Sequence, residues 1–275
     1  MLLDTTDRIF AANRAIGRIA LNAKFAEGAT RRARVREQGS LRVRCPGPSA
    51  GDLEAMIINT AGGMAGGDHF DLDIAVGTGA RLLVTSAAAE KVYRTLGAET
   101  TIAAKLDVAA SGALAWLPQE TILFDRARLR RTIEVDLAAD ARLLLAEAVI
   151  FGRSGMGETV VDGLLLDRWR VRRGGRLLHA ESVRLDGNVA ASLAQSAVAR
   201  GGVAIANVLS VPGDDAMVAA VRDASRQCRG EVGASAWNGI AVVRVVAADG
   251  AALRHDLARV LATLRGGQLP RLWLH

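Results

Sequence analysis

The chain has 275 residues, half of them hydrophobic and 4% aromatic, with a formal charge of +6. That is enough apolar material for one sizeable core, but no apolar run approaches the roughly 18 residues of a membrane span. The N-terminus, MLLDTTDRIF, lacks the basic start and apolar centre of a signal peptide, so a cytoplasmic protein that spans no membrane is expected. The positive charge is almost wholly arginine, since the lysines are Lys24, Lys91 and Lys105. The cysteines, Cys45 and Cys228, stand far apart without cysteine or histidine at zinc-ligand spacing. That pattern argues against a disulfide scaffold or zinc finger.

Apolar residues alternate from Ile19 to Phe25, which predicts a strand. The arginine-rich pieces 31–36 and 41–45 read as a hairpin across Gln38-Gly39-Ser40. Arg31, Arg32, Arg34, Arg36, Arg42 and Arg44 form a basic cluster with no aromatic residues to stack on bases. It therefore reads as a solvated strand face or a patch for an acidic protein, not as a nucleic-acid site. Leu53 to Asn59 leads into NTAGGMAGGD, where Gly62, Gly63, Gly66 and Gly67 are followed by Asp68. These glycines lack the Gly-Lys-Ser/Thr ending of a phosphate loop and the spacing of a dinucleotide fingerprint. Tight turns are the better reading. Phe70, Leu72, Ile74 and Val76 then alternate with polar or small residues as in a half-buried strand. Arg81–Ser86 follows as a second strand, and Ala87–Arg94 leaves it carrying Glu90, Lys91, Tyr93 and Arg94.

Further strands are expected at 100–109, 113–117, 121–124, 128–137, 141–151, 163–172 and 176–185, the last two joined at Arg173-Gly174-Gly175. Many short strands at about ten-residue spacing predict an all-β scaffold of packed sheets. No repeat is strict enough to read a solenoid from the sequence. Beyond Asn188 the character changes: 189–200 suits a helix or a buried strand. Asp214 caps a helix over 215–229 with Gly230 as its stop. Ile240–Val246 is a strand, and Asp249 caps a helix over 251–265 with Gly266 as its stop. No linker separates these parts, so the expectation is one domain over 1–275, a β-rich body to about 187 and an α+β part from about 188.

Little points to catalysis. His69, His179, His255 and His275 form no pair at metal-ligand spacing, and Ser154 in GRSGMGE is not at nucleophile-elbow spacing. Glu120 with Asp125, or Glu147 with Glu158, would serve a β-rich carbohydrate-active enzyme, although aromatic residues are few. A polyanion binder using the arginine face is the other alternative.

NTAGGMAGGD followed by TSAAAEKVYR resembles the urease accessory protein UreD (UreH) family. Four more segments extend the likeness: LAWLPQETILFDRARL, LLLAEAVIFGRSGMGE, GRLLHAESVRLDG and LRGGQLPRLWLH. The resemblance implies a non-enzymatic chaperone that acts with UreF and UreG on apo-urease. It implies that nickel is carried in transit and not held as a permanent cofactor. It also leaves room for a homodimer formed through that complex. It implies a fold of stacked two-layer sheets, helical in form, with two helices near the C-terminus. A nickel path calls for weakly binding oxygen ligands. Asp68 and Glu181 stand at acidic positions of the family motifs, and Glu147 is an acid inside an apolar run. These three are the path candidates, against structural roles held by arginines such as Arg153 or Arg184. Lys91, Tyr93, Arg94 and Arg153 are expected to meet a partner or to finish the sheet ends.

Overall fold

The computed structural model describes residues 13–46, 48–49 and 51–274. The readings of the MLLDTTDRIF segment and of His275 lie outside these residues, as does the side chain of Ser154.

Two sheets face each other. The first holds β1 (Ile16–Ala26), β2 (Ala29–Gln38), β6 (His69–Val76), β9 (Thr100–Val108), β12 (Arg128–Leu137), β14 (Asp162–Arg173) and β15 (Arg176–Asn188), in the order β15-β14-β12-β9-β6-β1-β2. The second is built on β3 (Leu41–Arg44), β5 (Asp52–Asn59), β7 (Arg81–Ser86), β10 (Ala113–Trp116), β13 (Arg142–Phe151), β16 (Ala204–Val211), β18 (Ile240–Ala247) and β17 (Glu231–Trp237), in that spatial order. From β5 to β14 the chain crosses between sheets at each turn. Each return lays a strand parallel to the last one in that sheet. The result is a stacked, solenoid-like body, as the resemblance implied. Asp71, Ala103, Thr132 and Arg168 share one row. Their sequence spacing changes from coil to coil, which explains why no strict repeat is readable.

Two-residue alternation fixes which side chains enter the core. Leu129, Ile133, Val135 and Leu137 of β12 point inward, as do Phe70, Leu72, Ile74 and Val76 of β6. All but Leu129 share a cluster with Leu82, Val84, Leu114, Leu143 and Leu145 of the second sheet, while Leu129 packs in a separate cluster with Val149 and Phe151. The outer face of the second sheet is covered by the helices Asp215–Ser225 and Gly250–Arg265. Asp214 and Asp249 cap them by accepting from the backbone N–H groups of Met217 and Ala252. Gly266 ends the second helix at φ 63°. The first helix stops at Ser225, short of Gly230.

The predicted hairpin of 31–36 with 41–45 does not form. β2 pairs with β1 in the first sheet, and β3 pairs with β5 in the second. Alternation identifies a strand but not its partner, and the apolar side chains of Leu41 and Val43 complete the core from the opposite sheet. β16 and β17 were not legible: the first is covered on both faces and lacks alternation, and the second carries Gly233 and alanines of low strand preference. Only Val189–Ala194 of the 189–200 stretch is helical.

Candidate functional site: a polar line inside the solenoid

The glycine loop serves close approach between coils. A Cβ on Gly66 would lie 2.0 Å from Thr95 Oγ1, and one on Gly63 would lie 2.5 Å from the Tyr93 ring at a φ of 149°. Asp68 is buried and fastens the loop. Its two carboxylate oxygens accept from the backbone N–H groups of Ala15 at 2.8 Å and Ala65 at 2.7 Å.

Beside Asp68 lies Glu90 of the short strand β8 (Glu90–Val92). The Asn59 side-chain amide donates to the Glu90 carboxylate at 3.0 Å. Burial pushes the Glu90 carboxyl up, the negative charge of Asp68 adds to the rise, and the Asn59 bond opposes it. In register beside Glu90 stands Thr121, first residue of β11 (Thr121–Leu123). The Thr121 hydroxyl accepts from Arg131 Nη1 at 3.4 Å.

Arg131 joins the two sheets. From β12 its guanidinium donates to Asp167 on β14, at 3.1 Å to Oδ1 and 2.5 Å to Oδ2. It also donates to Glu147 on β13 of the opposite sheet. Trp116 Nε1–H donates to Glu147 Oε1 at 2.8 Å, and Trp169 Nε1–H to Asp167 Oδ1 at 3.1 Å. The side chains of Arg131, Glu147 and Asp167 are 3%, 5% and 6% exposed, so water screens the cluster little. Two carboxylates share one guanidinium, which leaves one excess negative charge. Burial therefore raises the Glu147 carboxyl to about 7, with Arg131 pulling it down and Asp167 pushing it up. Burial alone would lower the guanidinium pKa, but the two carboxylates outweigh that and raise it.

From Glu147 the row continues across the second sheet through Asn207 of β16 to Arg244 of β18. Arg244 Nη2 reaches back across the sheets to Glu181 Oε1 on β15 at 3.1 Å. Burial favours the neutral form of Glu181. The His179 bond at 3.3 Å and the Arg244 guanidinium outweigh it and hold the carboxyl below its ordinary value. Arg244 is 60% exposed, so the line reaches solvent here. With strands about 4.8 Å apart, Glu147 and Arg244 stand roughly 10 Å apart along the row.

Asp68, Glu147 and Glu181 thus lie along one series of neighbouring polar residues: hydrogen bonds join Thr121, Glu147 and Asp167 to Arg131 and Glu181 to Arg244, and strand register places Glu90 beside Thr121 and Asn207 between Glu147 and Arg244. The arginine that holds Glu147 is Arg131. Arg153 pairs with Glu158 at 2.7 Å, and Arg184 with Asp186 at 2.7 Å. Tyr93 donates to Gly62 O at 2.8 Å and meets the Phe124 ring edge-on at 5.1 Å. Arg153 lies over Phe124 at 4.2 Å. Tyr93, Phe124 and Arg153 therefore stack down one corner of successive coils, while Lys91 and Arg94 are exposed beside them. Glu120 bonds Arg254 at 3.0 Å, and the Asp125 carboxylate takes the Val161 N–H at 2.8 Å. Among the described residues, no three His, Cys, Asp or Glu side chains gather around a common point for an ion.

Fold and line together define a class: a two-sheet β-solenoid with a chain of charged and polar groups threaded through an apolar interior. The model of the family described as UreD urease accessory protein matches residues 15–274. A urease accessory protein UreD of Rhodopseudomonas palustris strain BisB18 is 57% identical over 273 residues, 99% of each chain. One from strain BisA53 is 54% identical over 276 residues, 99% of this chain and 96% of the relative. One from Bradyrhizobium diazoefficiens is 52% identical over 273 residues, again 99% of each. The chain belongs to the UreD urease accessory protein family, which places its role in urease maturation. No helix among the described residues is long and apolar enough to cross a membrane.

Proposed function

We propose that this protein is a non-enzymatic chaperone of nickel insertion. It acts in the cytoplasm in a complex with UreF and UreG, and nickel passes through its interior to apo-urease along the polar line. The observation that carries this reading is the register row Glu147–Asn207–Arg244, closed at one end by Glu181 and continued at the other through Thr121 to Glu90 and Asp68.

The chemistry of the line suits a cargo ion. Carboxylate, amide and hydroxyl oxygens bind nickel weakly enough to release it, where thiolates would trap it. Without cargo, buried carboxylates need counter-charge. Arg131 supplies it to Glu147 and Asp167, and Arg244 to Glu181. An incoming divalent cation competes with these guanidinium groups for the same oxygens. Carboxylates spaced a strand or two apart provide successive holding points, none of which needs to bind tightly.

Reconstitution with UreF, UreG and apo-urease tests the proposal. Glu181→Gln and Glu90→Gln are expected to leave complex formation intact and to lower both the nickel bound per urease active site and the urease activity. Full nickel loading by both variants would defeat it.

A further inference from the structure

The arginine cluster at the first coil has no part in the polar line. β2 and β3 are the edge strands of their sheets, and among the described residues neither has a second neighbour. β2 runs for ten residues and is exposed except at Thr30 and Val35, which are half-buried. Arg34 and Arg36 stand opposite Asn22 and Ala20 on the outer face of their sheet. Arg32 stands opposite buried Ala23, on the face turned toward β3. Between the two edges lies an open groove of about 640 Å³, lined by Arg32, Arg34, Arg44 and Glu37 over a floor of Val35 and Val43. Arg44 is partly answered by Glu37 at 3.4 Å, and Arg31 by Glu27 at 3.0 Å. Among the described residues, Arg32, Arg34 and Arg36 have no ion pair within 4.0 Å.

We infer that this edge is a docking site for an extended acidic segment of a partner protein, added as a further strand beside β2. Three features fit that occupant. The open edge presents backbone N–H and C=O groups over about 33 Å, at about 3.3 Å per residue. A strand added there points alternate side chains to the two faces. Arginine stands on both faces, so acids at successive positions of the added strand find a guanidinium on either side. The small apolar floor of Val35 and Val43 takes the aliphatic part of a side chain. Nucleic acid fits less well, because the cluster offers no aromatic platform for bases.

The test uses the full chain and fluorescence anisotropy at 150 mM salt. The probe is a labelled ten-residue peptide in which Glu-Glu pairs alternate with single Thr residues, so that acids face both sides of the added strand. It is compared with its lysine counterpart, with the acidic peptide N-methylated at every backbone nitrogen so that neither strand edge can donate, and with a ten-nucleotide thymidine strand. The acidic peptide is expected to bind saturably. N-methylation is expected to weaken it at least tenfold, as is the double variant Arg32→Glu/Arg34→Glu. Arg168→Glu/Arg170→Glu, on the far side of the same sheet, is expected to leave it unchanged. The N-methylated arm does not depend on how any variant folds. Absence of saturable binding would show a solvated edge and overturn the inference. So would equal binding of the methylated peptide or of the thymidine strand, or self-association of the protein through the same edge.

Discussion

Replacing Glu147 by Gln isolates the cost of the excess charge buried with Arg131 and Asp167. In the folded protein the Glu147 carboxyl titrates at about 7 against an ordinary 4.5. The native state therefore holds the proton where the unfolded chain has lost it, and stability falls as pH rises through the window from about 4.5 to 7. The full cost is about 3 kcal/mol, most of which develops between pH 5 and pH 8. Gln cannot ionise. Its amide also cannot accept from both Trp116 Nε1–H and Arg131 Nη1, so the variant carries a steady penalty of about 1–3 kcal/mol at all pH values. The wild type is expected to be the more stable protein at pH 5, and the gap is expected to shrink by about 2–3 kcal/mol by pH 8. Urea unfolding of both proteins at pH 5, 6.5 and 8 measures the difference directly, and other titrating groups cancel between them. A gap that is constant, or that widens with pH, would show that Glu147 is ionised throughout and that one guanidinium suffices for both carboxylates.

Arg131→Met keeps an unbranched apolar stem and removes the shared cation. It should destabilise the protein by about 3–5 kcal/mol, read as a lower urea midpoint, because two buried carboxylates lose their partner. Gly66→Ala drives a methyl group into Thr95 and the Ala98 carbonyl, which lies 2.6 Å from the added Cβ. A loss of about 1–3 kcal/mol is expected in the same assay, whereas Gly62→Ala, with open space around it but φ at 75°, meets only backbone strain. Asp249→Ala removes the cap of the helix that covers the second sheet, and about 1 kcal/mol should be lost.

β12 was legible because one of its faces is buried and the other is not, and it falls within the bounds that alternation gave; the caps at Asp214 and Asp249 were readable because helix starts have few chemical solutions. Pairing was not legible. The 31–45 stretch reads equally well as a hairpin or as two strands of different sheets, and only the core on the far side decides. The site shows the same division. Glu147 stood out as an acid within an apolar run, and Asp68 and Glu181 through the family segments. Arg131, Asp167 and Asn207 did not: each occupies a place in its strand where an inward polar residue looks like an interruption of the pattern. Arg131 sits among Leu129, Ile133, Val135 and Leu137 on the buried face. That placement was the available signal, since a charge on the inward face needs a partner, and its partners come from 16 and 36 residues away. Arg131, and neither Arg153 nor Arg184, is the arginine that meets Glu147, because register brings it there and sequence proximity does not.

Asn207→Leu tests the interior line most directly. The change is close in volume, carries no charge and lies between Glu147 and Arg244 at a half-buried position. The protein would be assembled with UreF, UreG and apo-urease, and nickel per urease active site measured after a fixed interval. The account expects the complex to form normally and nickel loading to fall well below wild type. A complex that loads nickel at the wild-type rate would contradict passage along this row.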